Sequence, residues 1–427
     1  MFLLYSLLLS IAFVLMSPLF LWRREKYAQG FKQRLGNYPT FLHDGRKIIW
    51  LHCVSVGETN AARPLVDQLN INFPDHRLIV STTTKTGQEL AQKIFADKAD
   101  AVFYFPFDWK FSVRKALKHF DPQIVLLVET EIWFNFFNES KKNGVKLAIV
   151  NGRLSERSAN RYSYLKGFIS GVLNCLDLAL MQSDTDAKRI LSLGINANKV
   201  SITGNFKFDH SIERSENELT EEFRTRFGIS SERPFMIAAS THEPEEEWLL
   251  KAFEGLNDFR VRLLIAPRHP ERFDAVAQLV ESSQYSFVRR SEKYSTNDKT
   301  ADIILLDSIG ELRSIYPIAE IVFVGGSMIP HGGQSILEPA AAGKAIVTGH
   351  FTANFKAVVD EFLANKALLR LPRSSSDHQN ILHLHETFKV LLEAEEKRRH
   401  LGENALLVMR SNRGATAKTI EALKNIL

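Results

Sequence analysis

The chain has 427 residues, 45% of them hydrophobic and 24% charged, enough to bury the cores of two or three domains. Its 54 Lys and Arg against 49 Asp and Glu leave a formal charge of +5, which suits an anionic membrane or phosphorylated ligands and is too small to argue for nucleic acid. Two cysteines, Cys53 and Cys175, lack C-x-x-C spacing; they indicate neither a disulfide framework nor a thiolate metal site and fit a reducing compartment.

From Phe2 to Trp22 the sequence FLLYSLLLSIAFVLMSPLFLW carries no formal charge and has the roughly 20 residues a helix needs to cross a hydrocarbon core. The expectation is a membrane anchor over residues 1–22. A cleaved signal peptide would show a basic start and small residues at the cleavage point. Pro18 leaves room for a kink or for a helix lying in the interface. Arg23, Arg24, Lys26, Lys32 and Arg34 follow, so the positive-inside bias puts everything downstream in the cytoplasm.

Short apolar runs then alternate with helix-like segments: KIIWLHCVSV, RLIVSTT, AVFYFPF, QIVLLVE, KLAIVNG and LDLALMQS. Such a βα series predicts an α/β fold with a mainly parallel, doubly wound sheet. After VSITGNFKFD comes a polar link over 211–231, and then PFMIAAS, VRLLIAPR, ADIILLDS, IVFVGGS and AIVTG repeat the alternation. Two Rossmann-like domains facing a central cleft are expected, at 23–210 and 211–427, with 377–427 as closing helices. Ligands of such sheets gather at the carboxyl ends of the strands, where strand order reverses.

The strand-to-helix loops therefore hold the candidates. In HCVSVGE, Gly57 permits a tight turn and Glu58 falls in the first turn of the next helix. Helix-dipole complementarity explains an acid there, and so does a general base at the mouth of the sheet. LLVETEIWFNF places Glu129 and Glu131 on one face of an extended segment, with helix capping as the plainer role for Glu131. Lys207, in GNFKFD, lies at the domain junction, where a lysine can neutralise an anion. AASTHEPEEE puts His242 before a helix start whose amides could hold phosphate. IAPRHPERF offers Arg268 and His269 at another strand end, where an arginine can grip phosphate with two hydrogen bonds. Gly325, Gly326, Gly332 and Gly333 relieve steric limits beside a ligand, and Glu338 is placed to accept from ribose hydroxyls. Asp184 and Asp186 form a D-x-D that opens a helix, a pattern that favours capping over a cation site. There is no G-x-G-x-x-G after a first strand, no G-x-x-x-x-G-K-[ST] and no His pair at zinc spacing, which counts against a dinucleotide oxidoreductase, a P-loop NTPase and a zinc enzyme.

HCVSVGE, ETEIWFN, NGRLSERS, GNFKFD, ASTHEPEE, APRHPERF, GEL, FVGGS and GGQSILEPAAAGK occur in this order behind the apolar N-terminus. In them the chain resembles the 3-deoxy-D-manno-octulosonic acid (Kdo) transferases of lipopolysaccharide assembly, over nearly its whole length. The resemblance implies the GT-B fold of two Rossmann-like domains and an inverting transfer of Kdo from CMP-Kdo to the lipid A precursor, lipid IVA, at the inner membrane. It implies Glu58 as the base on the acceptor hydroxyl, with Glu129 and Lys207 stabilising the transition state. Pro267 and Arg268, the segment Ile309, Gly310 and Glu311, and the segment Ser335, Ile336, Leu337 and Glu338 would hold CMP. No cofactor, metal or nucleic acid is implied. Family members often read GGHNPLE where this chain has GGQSILE, so Gln334, Ser335 and Ile336 depart while Glu338 matches. DWKFSVRKALKHF (108–120) and ERSANRYSYLKGF (156–168) mix basic and aromatic residues, as a surface docking on anionic headgroups would. Two other classes remain open: a sugar-nucleotide 2-epimerase, and a non-catalytic anchored scaffold with a nucleotide pocket.

Overall fold

The computed structural model describes residues 2–22, 29–210, 217–230, 232–256 and 259–427. The chain divides into two compact units, one formed by Met1–His210 with Asn412–Leu427, the other by Ser211–Ser411.

The first unit is built on seven strands: β1 (Lys47–Cys53), β2 (His76–Thr82), β3 (Ala101–Tyr104), β4 (Ile124–Val128), β5 (Lys146–Gly152), β6 (Leu178–Met181) and β7 (Val200–Ile202). They pair in the order β3-β2-β1-β4-β5-β6-β7, and every pairing is parallel. Alternate residues of one strand feed opposite faces. In β1, Ile48 and Trp50 join the core under helices 110–120, 134–142 and 166–173, whereas Ile49, Leu51 and Cys53 join the core under helices 63–72 and 85–94. Burial on both faces explains why these strands read as unbroken apolar runs. The order reverses between β1 and β4, so the loops after these two strands flank the switch point.

Two expectations need correction here. The last helix, Ala415–Lys424, belongs to the first unit and not to the 211–427 half. Its Ala415, Ile420 and Leu423 are buried with Ile49 and Val66, and Asp209 accepts the Gly414 and Thr416 N–H groups, each at 2.7 Å. These bonds satisfy orphan donors at the helix start from 205 residues away.

The second correction concerns the anchor. Phe2–Trp22 is indeed a helix, but it lies along the first unit. Tyr5 donates its hydroxyl to Asp108 at 2.8 Å, Asn135 Nδ2 donates to Ser6 Oγ at 3.0 Å, and Trp109 Nε1 donates to Ser10 Oγ at 3.1 Å. Phe2 meets Phe168 edge-on, and Phe13 meets Trp109. A helix fastened at residues 2, 5, 6, 10 and 13 does not leave the domain to span a bilayer. Among the described residues, no helix is long and apolar enough to cross a membrane. Of the basic flank, Arg23, Arg24 and Lys26 lie outside the described residues.

The second unit repeats the architecture with β8 (Phe235–Thr241), β9 (Arg262–Pro267), β10 (Phe287–Arg289), β11 (Ile303–Leu305), β12 (Ile321–Val324), β13 (Ala345–Thr348) and β14 (Leu369–Arg370). The order is β10-β11-β9-β8-β12-β13-β14, again parallel throughout. It reverses between β8 and β12. Met236, Ala238, Ile265, Phe323 and Val347 form a core with helices 245–254, 377–393 and 395–411.

Candidate functional site

In the first unit, β1 ends at Cys53 and helix Val56–Ala61 starts behind an extended Ser55. Glu58 is the third helical residue, and its carboxylate accepts the Val54 N–H at 2.6 Å and the Ser55 hydroxyl at 3.1 Å. It therefore closes its own helix start, as the structural explanation required. It is also only 8% exposed. Burial pushes its pKa up to about 8; Glu129 and Glu131 add to the rise, and the Val54 and Ser55 hydrogen bonds oppose it. A carboxylate so poised takes up a proton readily near neutral pH.

Glu129 follows β4, across the switch point from β1. Its φ of 61° is left-handed, uncommon for a residue with a side chain, while its N–H still pairs with Val150 O at 3.0 Å. The chain thus turns sharply at Glu129, so Glu129 and Glu131 do not share the face of an extended segment as expected. Burial, reinforced by Glu129, pushes Glu131 up to about 7. Glu131 does not cap the next helix either. Asp108 does, accepting the Asn135 and Phe136 N–H groups at 3.1 and 2.8 Å. Three acidic side chains consequently gather around one strand reversal.

Lys207 lies half-buried on the short helix Phe206–His210, which packs against the helix carrying Glu58. Asn151, at φ 54°, accepts the Phe206 N–H at 3.0 Å, and Asn205 donates to Gln182 at 3.0 Å. Sequence reasoning passed over Asn151; its signal is a small polar residue directly before glycine at a strand end, where left-handed backbone is tolerated.

In the second unit, Pro267 closes β9 and is buried, and Arg268 beyond it is exposed, with its N–H on Thr241 O at 3.0 Å. Ile309 is 79% exposed, and Gly310 adopts φ 91°, which glycine alone adopts freely. Glu311 is engaged by Arg290 at 2.7 Å. Ser335 and Glu338 are half-buried. Burial raises the Glu338 pKa against the pull of Arg313. Ile336 and Leu337 are buried, backbone included, so in this segment only Ser335 and Glu338 offer surface to a ligand.

Glu245 was not singled out from the sequence and organises this half. Fully buried, it accepts the N–H groups of His242, Gly326, Ser327 and Met328 at 3.0, 2.7, 3.0 and 2.9 Å. The helix-start amides expected to be free for phosphate are in part already used: the Glu245 N–H pairs with His242 O at 2.7 Å and the Glu247 N–H with Pro244 O at 3.1 Å. Gly325 is glycine for packing, since a Cβ there would fall 2.7 Å from Ser240 O, rather than to make room for a ligand. The D-x-D opens a helix as expected, but Ser183 is its cap, accepting the Asp186 N–H at 3.1 Å. Asp186 accepts the Leu154 N–H at 2.9 Å and receives the Ser183 hydroxyl, and Asp184 pairs with Lys188. Among the described residues, no group of three or more His, Cys, Asp or Glu is arranged to hold a metal ion.

Two doubly wound parallel sheets in one chain define an α/β protein of the GT-B type. The solved UDP-GlcNAc 2-epimerase from Neisseria meningitidis shares this fold at TM-score 0.59 and 14% identity, covering 89% of this chain and 100% of that one; at that identity the likeness is one of fold alone. Residues 29–210 match the family described as 3-deoxy-D-manno-octulosonic-acid transferase (kdotransferase). The 3-deoxy-D-manno-octulosonic acid transferase of Haemophilus influenzae is 34% identical over 95% of this chain and 93% of its own. That of Bordetella pertussis is 30% identical over 96% of each. The chain belongs to the 3-deoxy-D-manno-octulosonic acid transferase family, and is thereby a Kdo glycosyltransferase.

Proposed function

We propose that the protein transfers Kdo from CMP-Kdo to the lipid A precursor, lipid IVA, with inversion at the anomeric carbon. An acceptor hydroxyl attacks that carbon, its proton passes to Glu58, and the bond to phosphate breaks so that CMP leaves as a dianion. Lys207 and Glu129 stabilise charge around the reacting carbon. Arg268, the turn at Ile309–Glu311, and Ser335 and Glu338 on either side of the buried Ile336 and Leu337 hold CMP. The observation that carries this reading is Glu58: a nearly buried carboxyl at the strand reversal, raised to about 8, with Glu129 and Glu131 beside it. No metal is needed, because arginine, lysine and backbone amides can offset the leaving charge.

The N-terminal helix supports a membrane-bound acceptor in a different way from a spanning anchor. Its outer side exposes Leu3, Leu4, Leu7, Leu8, Ile11, Val14, Leu15 and Met16, a run that suits insertion into the headgroup boundary of a bilayer. Both basic-aromatic segments touch this helix, through Trp109 and Phe168. Lys110, Arg114 and Lys115 line a groove beside it with Phe13, Phe31 and Trp109. These cations complement an anionic surface, so the protein lies on the cytoplasmic face of the inner membrane. The test is incubation of purified protein with CMP-Kdo and lipid IVA, with products read by mass spectrometry. A Kdo-bearing lipid is expected; unchanged lipid with intact, binding-competent protein refutes the assignment.

A further inference from the structure

At the switch point of the second sheet, the loops after β8, β9 and β12 bring together side chains that the proposed chemistry does not use. His242 follows β8 and is 6% exposed. The rings of His331, beyond β12, and His269, beyond β9, lie edge-on to it with centroids at 4.5 and 5.2 Å. Gln334 Nε2 stands 3.3 Å from His242 Nε2. His269 and His331 are exposed, so the cluster has a buried floor and an open rim.

The surrounding charge is mostly positive. Arg268 and Arg272 act on His242 together with the other two imidazoles. Arg272 is fixed by Glu246 at 2.7 Å and lies 3.9 Å from Glu243. The nearby acids are otherwise engaged: Glu245 by four backbone amides, and Glu271, 3.6 Å from His269, at the exposed rim. Burial first, then His331, His269, Arg272 and Arg268, hold His242 down to about 4. An imidazole in that field stays neutral until a negative group arrives to offset the neighbouring charge. Neutral histidines could suit a metal, but the cluster is not arranged for one, and two guanidinium groups beside it disfavour a cation.

We propose that His242, His331 and Gln334 form an anion-recognition site for the donor, in which His242 gains a proton as a phosphate or sugar carboxylate docks. The proposal rests on the second unit being the donor-binding half. Proton uptake would make donor affinity rise as pH falls, the opposite of the trend that a base with a pKa of about 8 imposes on the chemical step.

The experiment uses the full chain labelled with ¹⁵N-histidine. Ring signals are followed at pH 7 on adding CMP, which offers phosphate without the sugar acid, free Kdo, which offers carboxylate without phosphate, or inorganic phosphate. The His242 and His331 signals are assigned by H242Q and H331Q. The expected result is conversion of His242 to its charged form by at least one probe, whose identity names the anion. H242Q should bind that probe roughly ten- to a hundredfold more weakly at pH 6, the usual range for a lost charged hydrogen bond, and lose the pH dependence. If CMP binds while His242 stays neutral with every probe, the inference falls and the donor reading stands. If CMP and CMP-Kdo fail to bind, the donor reading falls, and the response of His242 to inorganic phosphate still decides for or against the anion site. Wild-type affinity in both H242Q and H331Q overturns the proposal.

Discussion

Glu58→Gln separates the two roles that the structure gives one carboxyl group. Glutamine has the same shape, can accept the Val54 N–H with its oxygen, and can donate its amide to Ser55 Oγ, so the helix start survives. The base is lost, and transfer should fall by about 10² to 10⁴, or roughly 3 to 5 kcal/mol in the barrier. Stability should move the other way. The folded pKa of about 8 lies above the ordinary 4.5, so the wild type is most stable below pH 4.5 and loses stability at this group as pH rises to 8. At about 1.4 kcal/mol for each tenfold change in proton affinity, keeping Glu58 ionised inside the fold costs on the order of 5 kcal/mol above pH 8. The variant escapes that cost. Urea unfolding at pH 5 and pH 8.5 should therefore show the variant gaining on the wild type as pH rises, while the wild-type transfer rate climbs toward pH 8. A variant that transfers Kdo within threefold of wild type, or that is less stable than wild type at pH 8.5, refutes the reasoning.

Other perturbations test the supports. Glu245→Ala strands four buried amides and should cost about 3 kcal/mol or more, read as a lower urea midpoint for the second unit. Tyr5→Phe removes the 2.8 Å bond to Asp108, worth about 1 kcal/mol or more to a charged acceptor, and should speed amide exchange in the N-terminal helix. Exchange equal to wild type would show that the aromatic contacts alone hold it. Leu8→Glu alters an exposed position. It should leave thermal unfolding unchanged and weaken flotation with anionic vesicles by roughly tenfold or more; equal flotation removes the outer helix face from membrane docking. Asp209→Ala takes away two charge-assisted bonds, and about 2 kcal/mol of stability should be lost, with faster exchange in Ala415–Lys424.

Much of the fold was legible because parallel strands covered on both faces must be continuously apolar, and ten or more such runs stood between polar turns. β10 and β14, with three and two residues, are too short for any period to register. Glu58 and Glu129 could be singled out since each lies in the loop or first helical turn after an apolar strand, and those strands turn out to flank the reversal. What eluded the sequence depends on distant partners: Asp108 caps a helix 27 residues on, and Glu245 gathers amides 81 to 83 residues on. Spacing along the chain carries no trace of such pairings. The N-terminal helix was misjudged for a related reason. Leu3, Leu4, Leu7, Leu8 and Leu15 face outward, and Tyr5, Ser6 and Ser10 are too few to lower its hydropathy, although they fix it to the domain.

The return of the last sixteen residues to the first unit has a practical side. A fragment stopped at His210 would lack Ala415, Ile420 and Leu423, removing part of the cover of the core around Leu51 and Val66, with Asp209 deprived of both its donors. Severing the chain between the units thus damages one of them. An expressible version of that half would need 412–427 spliced back through a short artificial linker, whereas Ser211–Ser411 can be cut out as one continuous piece.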